Sequence, residues 1–177
     1  MNALWGESMM KTLLVLRHAQ ALHAGDIADH ERPLTKQGVR EARRIGRLLR
    51  GLRPESALCS TALRARSTLE HSLSVAQLKP DVQQLEQLYD SDVERHLAAV
   101  RLVNAPVERL LLVGHNPSLE SLVSQLVRRP ITMQTGSLAV VSLALQSWQS
   151  LESSIQGTLV GLFDPAMLKK KVSDAPT

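Results

Sequence analysis

Arg17 and His18 stand side by side directly after an apolar run, in LLVLRHAQAL (residues 13–22). A second histidine, His115, follows ERLLLVG (108–114) in the same way, and Ser60 to Arg64 follow from the short stretch SALCS (56–60). A neutral imidazole has a lone pair for nucleophilic attack or proton transfer, and a guanidinium presents a rigid fork of donors to an anion. An isolated Arg-His pair is common enough to be chance. Three apolar segments that each end in such groups require an account of the elements that carry them.

The hydrophobic pattern predicts a strand at 11–16, then a polar loop to about residue 35 and a helix over 36–50. Val39, Ala42, Ile45, Leu48 and Leu49 share one face of that helix, and Thr35 is its expected N-cap. Arg40, Arg43, Arg44, Arg47 and Arg50 occupy the other face, which reads most simply as solvated. SALCS is a short strand, followed by a helix over 62–77 with Ala62, Ala65, Leu69, Leu73 and Ala76 on one side. A helix over 91–103 carries Val93, Leu97, Val100 and Leu102, and 108–114 is the clearest buried strand. Asn116 and Pro117 open another helix with the stripe Leu119, Leu122, Val123, Leu126 and Val127. SLAVVSLAL (137–145) and SIQGTLVGLF (154–163) alternate like paired strands. Strands alternating with helices imply a single α/β domain, a three-layer sandwich with a mostly parallel central sheet and helices on both faces. Ligands in such folds bind at the carboxyl ends of the strands, which is where Arg17, His18, Ser60–Arg64 and His115 fall.

Composition narrows the class. The 177 residues fit one domain, expected over 10–165, with 1–9 as a loose leader and 166–177 as a solvated tail. Aromatic residues are only 2%, which argues against a base-stacking surface, and the cations are spread along the chain, so no nucleic-acid partner is expected. The net charge of +4 and pI near 9.6 suit an anionic ligand. No apolar run is long enough for a membrane span, and no membrane partner is expected. Cys59, the single cysteine, excludes a disulfide framework and suits a reducing compartment, so a cytoplasmic location is expected.

Arg17-His18 after the first strand, RPLTKQG (32–38), STALRARST (60–68) and VGHNP (113–117) occur in an order that resembles the histidine phosphatase superfamily. The short chain and the triplet RHA are similar to its compact branch, the SixA-type phosphohistidine phosphatases. The resemblance runs over about residues 11–163. It implies a phosphoglycerate mutase-like fold, and His18 as the nucleophile that carries the phosphoryl group. It further implies Arg17 and Arg64 as phosphate-binding arginines, and His115 as a second site histidine, assigned here as a donor to phosphoryl oxygens. Arg32 matches a loop arginine near the pocket, and its sequence context leaves two roles open: substrate contact, or a salt bridge with Asp26, Asp29 or Glu31. Elementary electrostatics agrees with phosphoryl transfer: nearby guanidinium charge disfavours imidazolium, keeping a nucleophile neutral, and stabilises a dianionic group. Neither a cofactor nor a metal is called for, since zinc would compete with the nucleophilic role of His18. Arg66 reads as structural, and His23, His30, His71 and His96 as ordinary surface or partly buried residues.

Two departures bear on the substrate. Ala19 stands where many superfamily members have glycine, a small intrusion. The segment LEQLYDSDVE (85–94) does not reproduce the acidic motif with which phosphoglycerate mutase-like members protonate the leaving oxygen, and nothing selects among Glu86, Asp90 and Asp92 as an acid. An alkoxide leaving group benefits ~10²–10⁴-fold from a positioned acid, whereas imidazole leaves readily once protonated. The expected activity is therefore metal-independent hydrolysis of phosphohistidine on a protein partner. The alternatives are a small-molecule phosphomonoesterase acting on a small phosphorylated substrate, and a phosphate-dependent binding module without turnover.

Overall fold

The computed structural model describes residues 10–23, 25 and 27–168. The expected leader (1–9), most of the expected tail (169–177) and Asp26 lie outside the described residues. The elements run in order as β1 (Met10–Arg17), α1 (Lys36–Leu52), β2 (Ser56–Ser60), α2 (Leu63–Ala76) and β3 (Asp81–Leu85). They continue as α3 (Val93–Arg101), β4 (Arg109–Gly114), α4 (Ser118–Val127), β5 (Leu138–Ala144) and β6 (Thr158–Phe163). One six-stranded sheet has the order β3-β2-β4-β1-β5-β6. The first four of these strands are parallel, while β5 runs antiparallel to both β1 and β6.

The run LLVL forms a central strand because every side chain in it is apolar and alternate residues must fill opposite faces. Leu13 and Val15 join a core with Leu97 and Val100 of α3 and Leu119, Leu122 and Val123 of α4. Leu14 and Leu16 join a second core with Ile45 and Leu49 of α1 and Ala65 and Leu69 of α2. Burying each such leucine contributes ~2 kcal/mol. The sheet thus carries helices on both faces, and the α/β sandwich expected from the sequence is the observed architecture. Among the described residues no helix is long and apolar enough to cross a membrane.

Thr35 caps α1 by accepting a hydrogen bond from the Gly38 amide at 2.9 Å. Gly38 also lets α1 press against the loop after β1, since a Cβ there would stand 2.0 Å from the Gln20 carbonyl oxygen. Three features differ from the sequence reading. β3 was not expected, because DVQQL is an exposed edge strand with no apolar face to betray it. The helix expected over 91–103 is shorter, and Leu102, placed on its apolar stripe, is 78% exposed just past its end while Val103 is buried. The segment expected as a strand over 154–163 pairs only from Thr158 onward.

Candidate active site

The sheet register places the two histidines. Arg17 of β1 pairs with Gly114 of β4, so His18 and His115 are the next residues on adjacent parallel strands. The His18 amide donates to the Gly114 carbonyl at 3.0 Å, and the two imidazole centroids lie 5.0 Å apart. The backbone beyond is held as well: Ala19 N–H donates to Thr68 Oγ1 at 3.0 Å, and the His18 carbonyl accepts from Gly136 N–H at 3.0 Å.

His18 Nδ1 lies 2.9 Å from the Ala19 carbonyl oxygen. A carbonyl only accepts, so Nδ1 carries the proton and the lone pair is left on Nε2. Its pKa is lowered to about 4, first by burial, against the Ala19 hydrogen bond, and then by Arg64, Arg17 and Arg32. The sequence reading credited the arginines with keeping this ring neutral. They contribute, but burial is the larger cause. His115 is pushed down to about 3, again first by burial and next by His18 and Arg64.

All five residues singled out in the sequence, Arg17, His18, Arg32, Arg64 and His115, line one cavity of about 460 Å³. Arg17 donates through Nη1 to the Met133 carbonyl at 2.7 Å, and its buried Nε has no protein acceptor among the described residues. His115 Nε2 meets Ser60 Oγ at 2.8 Å, leaving its Nδ1 buried and without a partner among the described residues. Ser60 Oγ also accepts from the Ala62 amide at 3.3 Å. The unpaired N–H of Arg17, a residue that lines the cavity, is suited to an oxyanion oxygen.

A second cluster meets at Asp29, in a 3-10 turn at Asp29–Glu31. Arg64 donates to the Asp29 carbonyl at 2.6 Å and to Oδ2 at 3.0 Å; Arg32 reaches Oδ1 at 2.7 Å; the Tyr89 hydroxyl reaches Oδ2 at 2.7 Å. The Tyr89 hydrogen bond, followed by those of the two arginines, holds the Asp29 carboxyl far below the usual carboxylate range. Of the two roles left open for Arg32, the salt bridge is formed, with Asp29, and the side chain also faces the cavity.

The three possible acids sit elsewhere. Asp92 caps α3 through the Arg95 amide at 2.8 Å, Glu86 accepts from the Thr61 hydroxyl, and neither these nor Asp90 lines the cavity. The sequence reading missed several neighbours. His23 lines the cavity, and the His30 ring packs edge-on against Tyr89 at 4.9 Å, which in turn approaches His115 at 5.8 Å. His96, read as surface or partly buried, is fully buried and meets Ser118 Oγ at 3.0 Å, whose hydroxyl donates to the His115 carbonyl at 3.0 Å. Only the Leu97 and Val100 stripe beside it could have signalled that burial. Asp29 had no signal beyond its proximity to Arg32.

The model of the histidine phosphatase superfamily (branch 1) matches residues 13–96. An uncharacterized protein of Mycobacterium tuberculosis (strain ATCC 25618 / H37Rv) is 38% identical over 109 residues, 60% of this chain and 66% of the relative, just under two thirds of the relative's length. A solved structure of a candidate phosphohistidine phosphatase SixA from Nakamurella multipartitia superposes with a TM-score of 0.76 at 31% identity, covering 88% of this chain and 96% of that one. The protein histidine phosphatase SixA complexed with tungstate superposes with a TM-score of 0.75 at 29% identity, covering 89% and 99%.

Proposed function

Because the chain belongs to the histidine phosphatase superfamily, we propose that it hydrolyses phosphohistidine on a protein, without a metal, through a phosphorylated His18. His18 Nε2 attacks phosphorus, and the bond from phosphorus to the substrate imidazole breaks. Water then attacks the same phosphorus, the bond to Nε2 breaks, and inorganic phosphate leaves. Arg17 and Arg64 hold the phosphoryl oxygens and balance charge in both transition states, and His115 donates to those oxygens. Arg32 contacts the substrate at the cavity mouth. Tungstate, bound by one of the similar SixA proteins, is an oxyanion of the kind such a pocket accepts.

The observation that carries the phosphohistidine reading is the cavity lining, which among the described residues holds arginines, histidines and amides but no carboxyl group. Asp29, beside two of those arginines, accepts from Tyr89, Arg32 and Arg64, which hold it ionised with no proton to give. An alkyl phosphate needs a proton on its leaving oxygen. A phosphohistidine protonated on its other ring nitrogen leaves as neutral imidazole and needs none. The cavity volume of about 460 Å³ also admits a small phosphate ester, which is the second reading.

The test incubates the protein with a phosphohistidine protein and, separately, with alkyl and aryl phosphomonoesters, with His18→Ala as control. Release of phosphate from the phosphohistidine protein, abolished by His18→Ala, is expected. Equal activity of variant and wild type would sink the covalent route. Rapid alkyl phosphate turnover, lost on removing Glu86, Asp90 or Asp92, would sink the substrate assignment.

A further inference from the structure

The outer face of α1 carries a continuous ridge of positive charge. Lys36, Arg40, Arg43, Arg47 and Arg50 are all exposed and follow one another at intervals of four, three, four and three residues. That spacing puts them on one side of the helix, over about 21 Å at ~1.5 Å per residue. Arg44 flanks the ridge and, with Arg40, Arg43 and Arg47, encloses a cleft of about 270 Å³.

A merely solvated helix face interleaves both signs, because like charges three or four residues apart destabilise the helix. Here the single acid of α1, Glu41, is buried and turned inward, accepting from the Gln20 amide at 2.9 Å and from Gln37 Nε2 at 3.1 Å. Arg40 reaches only Gln37, Arg44 the Pro165 carbonyl and Arg50 the Val75 carbonyl. Among the described residues Lys36, Arg43 and Arg47 form neither an ion pair nor a side-chain hydrogen bond. Five like charges are thus held together with no compensating acid among the described residues.

The ridge also begins at the active cavity. Thr35, the cap of α1, bonds Gln20 through its hydroxyl at 2.7 Å, and both Gln20 and Arg32 line the cavity that holds His18. We propose that this ridge is the docking surface for an acidic face of the protein whose phosphohistidine enters the cavity. An acidic helix with carboxylates at matching intervals is the best fit, because guanidinium groups pair with carboxylates in bidentate fashion. The inference rests on the phosphohistidine reading and adds to it the chemistry of the partner.

Other occupants fit less well. A second copy of this chain brings a net charge of +4, and the chain's own segment 169–177 brings three lysines against one aspartate. Single-stranded nucleic acid would seek aromatic platforms beside the cations, and the ridge has none.

The test compares the full-length wild type, Arg40→Glu/Arg43→Glu/Arg47→Glu and the charge-keeping Arg40→Lys/Arg43→Lys/Arg47→Lys. Substrates are free phosphohistidine, an acidic phosphohistidine protein and a basic one. Glutamate reversal should lower kcat/KM for the acidic protein by about tenfold or more, with free phosphohistidine unchanged and the lysine variant close to wild type. Wild-type kcat/KM for the acidic protein should fall as salt rises, and that for free phosphohistidine should stay flat. Equal loss on the free amino acid and the protein, or no loss on either, overturns the docking role. Poly-L-glutamate binding supplies an arm independent of catalysis: wild type should bind it and the reversal variant should not. If no phosphohistidine compound is hydrolysed, the proposed function fails while this binding arm still decides the ridge. Tighter binding to single-stranded RNA or to phosphatidylserine vesicles than to poly-L-glutamate would overturn the choice of an acidic protein.

Discussion

The cavity and the cluster beside it are built on different principles. On one side Arg17, His18 and His115 issue from the ends of β1 and β4, whose register and backbone hydrogen bonds fix them. Next to it, Arg32 and Tyr89 are both held by the Asp29 carboxylate, which joins a 3-10 turn to the loop before α3. Arg64, from the first turn of α2, joins the halves because it faces the cavity while bonded to Asp29. The strand side is fixed by backbone pairing within the sheet. The loop side can change its residues without disturbing the sheet, so specificity belongs there.

The comparison breaks most readily at His18. His18→Ala should lower turnover on the order of 10³-fold or more and abolish the phosphoenzyme, with the fold intact by circular dichroism. Retained phosphoenzyme would move the nucleophile elsewhere. Next, Arg17→Ala should cost ~10²–10³-fold in kcat, whereas Arg32→Ala on the loop side should cost less than about tenfold, chiefly in KM. Equal losses would erase the distinction between the sides.

Titration of stability separates burial from chemistry. His18 and His96 both have a pKa lowered from 6.5 to about 4, first by burial. Between those values the unfolded chain takes up protons that the folded chain refuses. Stability is therefore full above pH about 6.5 and falls as the pH drops to about 4, by up to ~3 kcal/mol per histidine. Urea unfolding at pH 7.5 and pH 5 should show the loss, and His96→Gln should remove one share of it while sparing catalysis far more than His18→Gln. A wild type equally stable at both values would contradict the assignment. The smallest effect is expected from Asp29→Asn, which keeps the shape and removes a negative charge beside the arginines. Inhibition by inorganic phosphate should tighten severalfold, as a pairwise charge of ~1 kcal/mol near a surface would give. Weaker inhibition would make Asp29 an aid to phosphate binding.

The strand side is also what the sequence made legible. LLVL and LLLV are apolar throughout because both faces of their strands are covered, and the polar groups that end such runs can only sit at the sheet edge. The amphipathic stripes of α1, α2 and α4 read equally well. The loop side was legible only in part: the Arg32–Asp29 pair was among the salt bridges offered by ADHERP (28–33), but nothing there says that the same carboxylate also gathers Arg64 and Tyr89. β3 escaped for a related reason: backbone pairing with β2 holds it, not a buried face. The dominance of burial over charge at His18 was also hidden, because desolvation depends on the assembled neighbourhood.

The pairing of Arg17 with Gly114 has one more consequence. Since His18 and His115 are the next residues on neighbouring strands, their spacing is inherited from the interstrand distance of a sheet and acts as a fixed gauge. Substitutions in the core leave that gauge alone. A single-residue insertion within either strand would instead turn its histidine to the opposite face. Changes of chain length are thereby best tolerated in the segments that frame the entrance, which lie outside the paired strands.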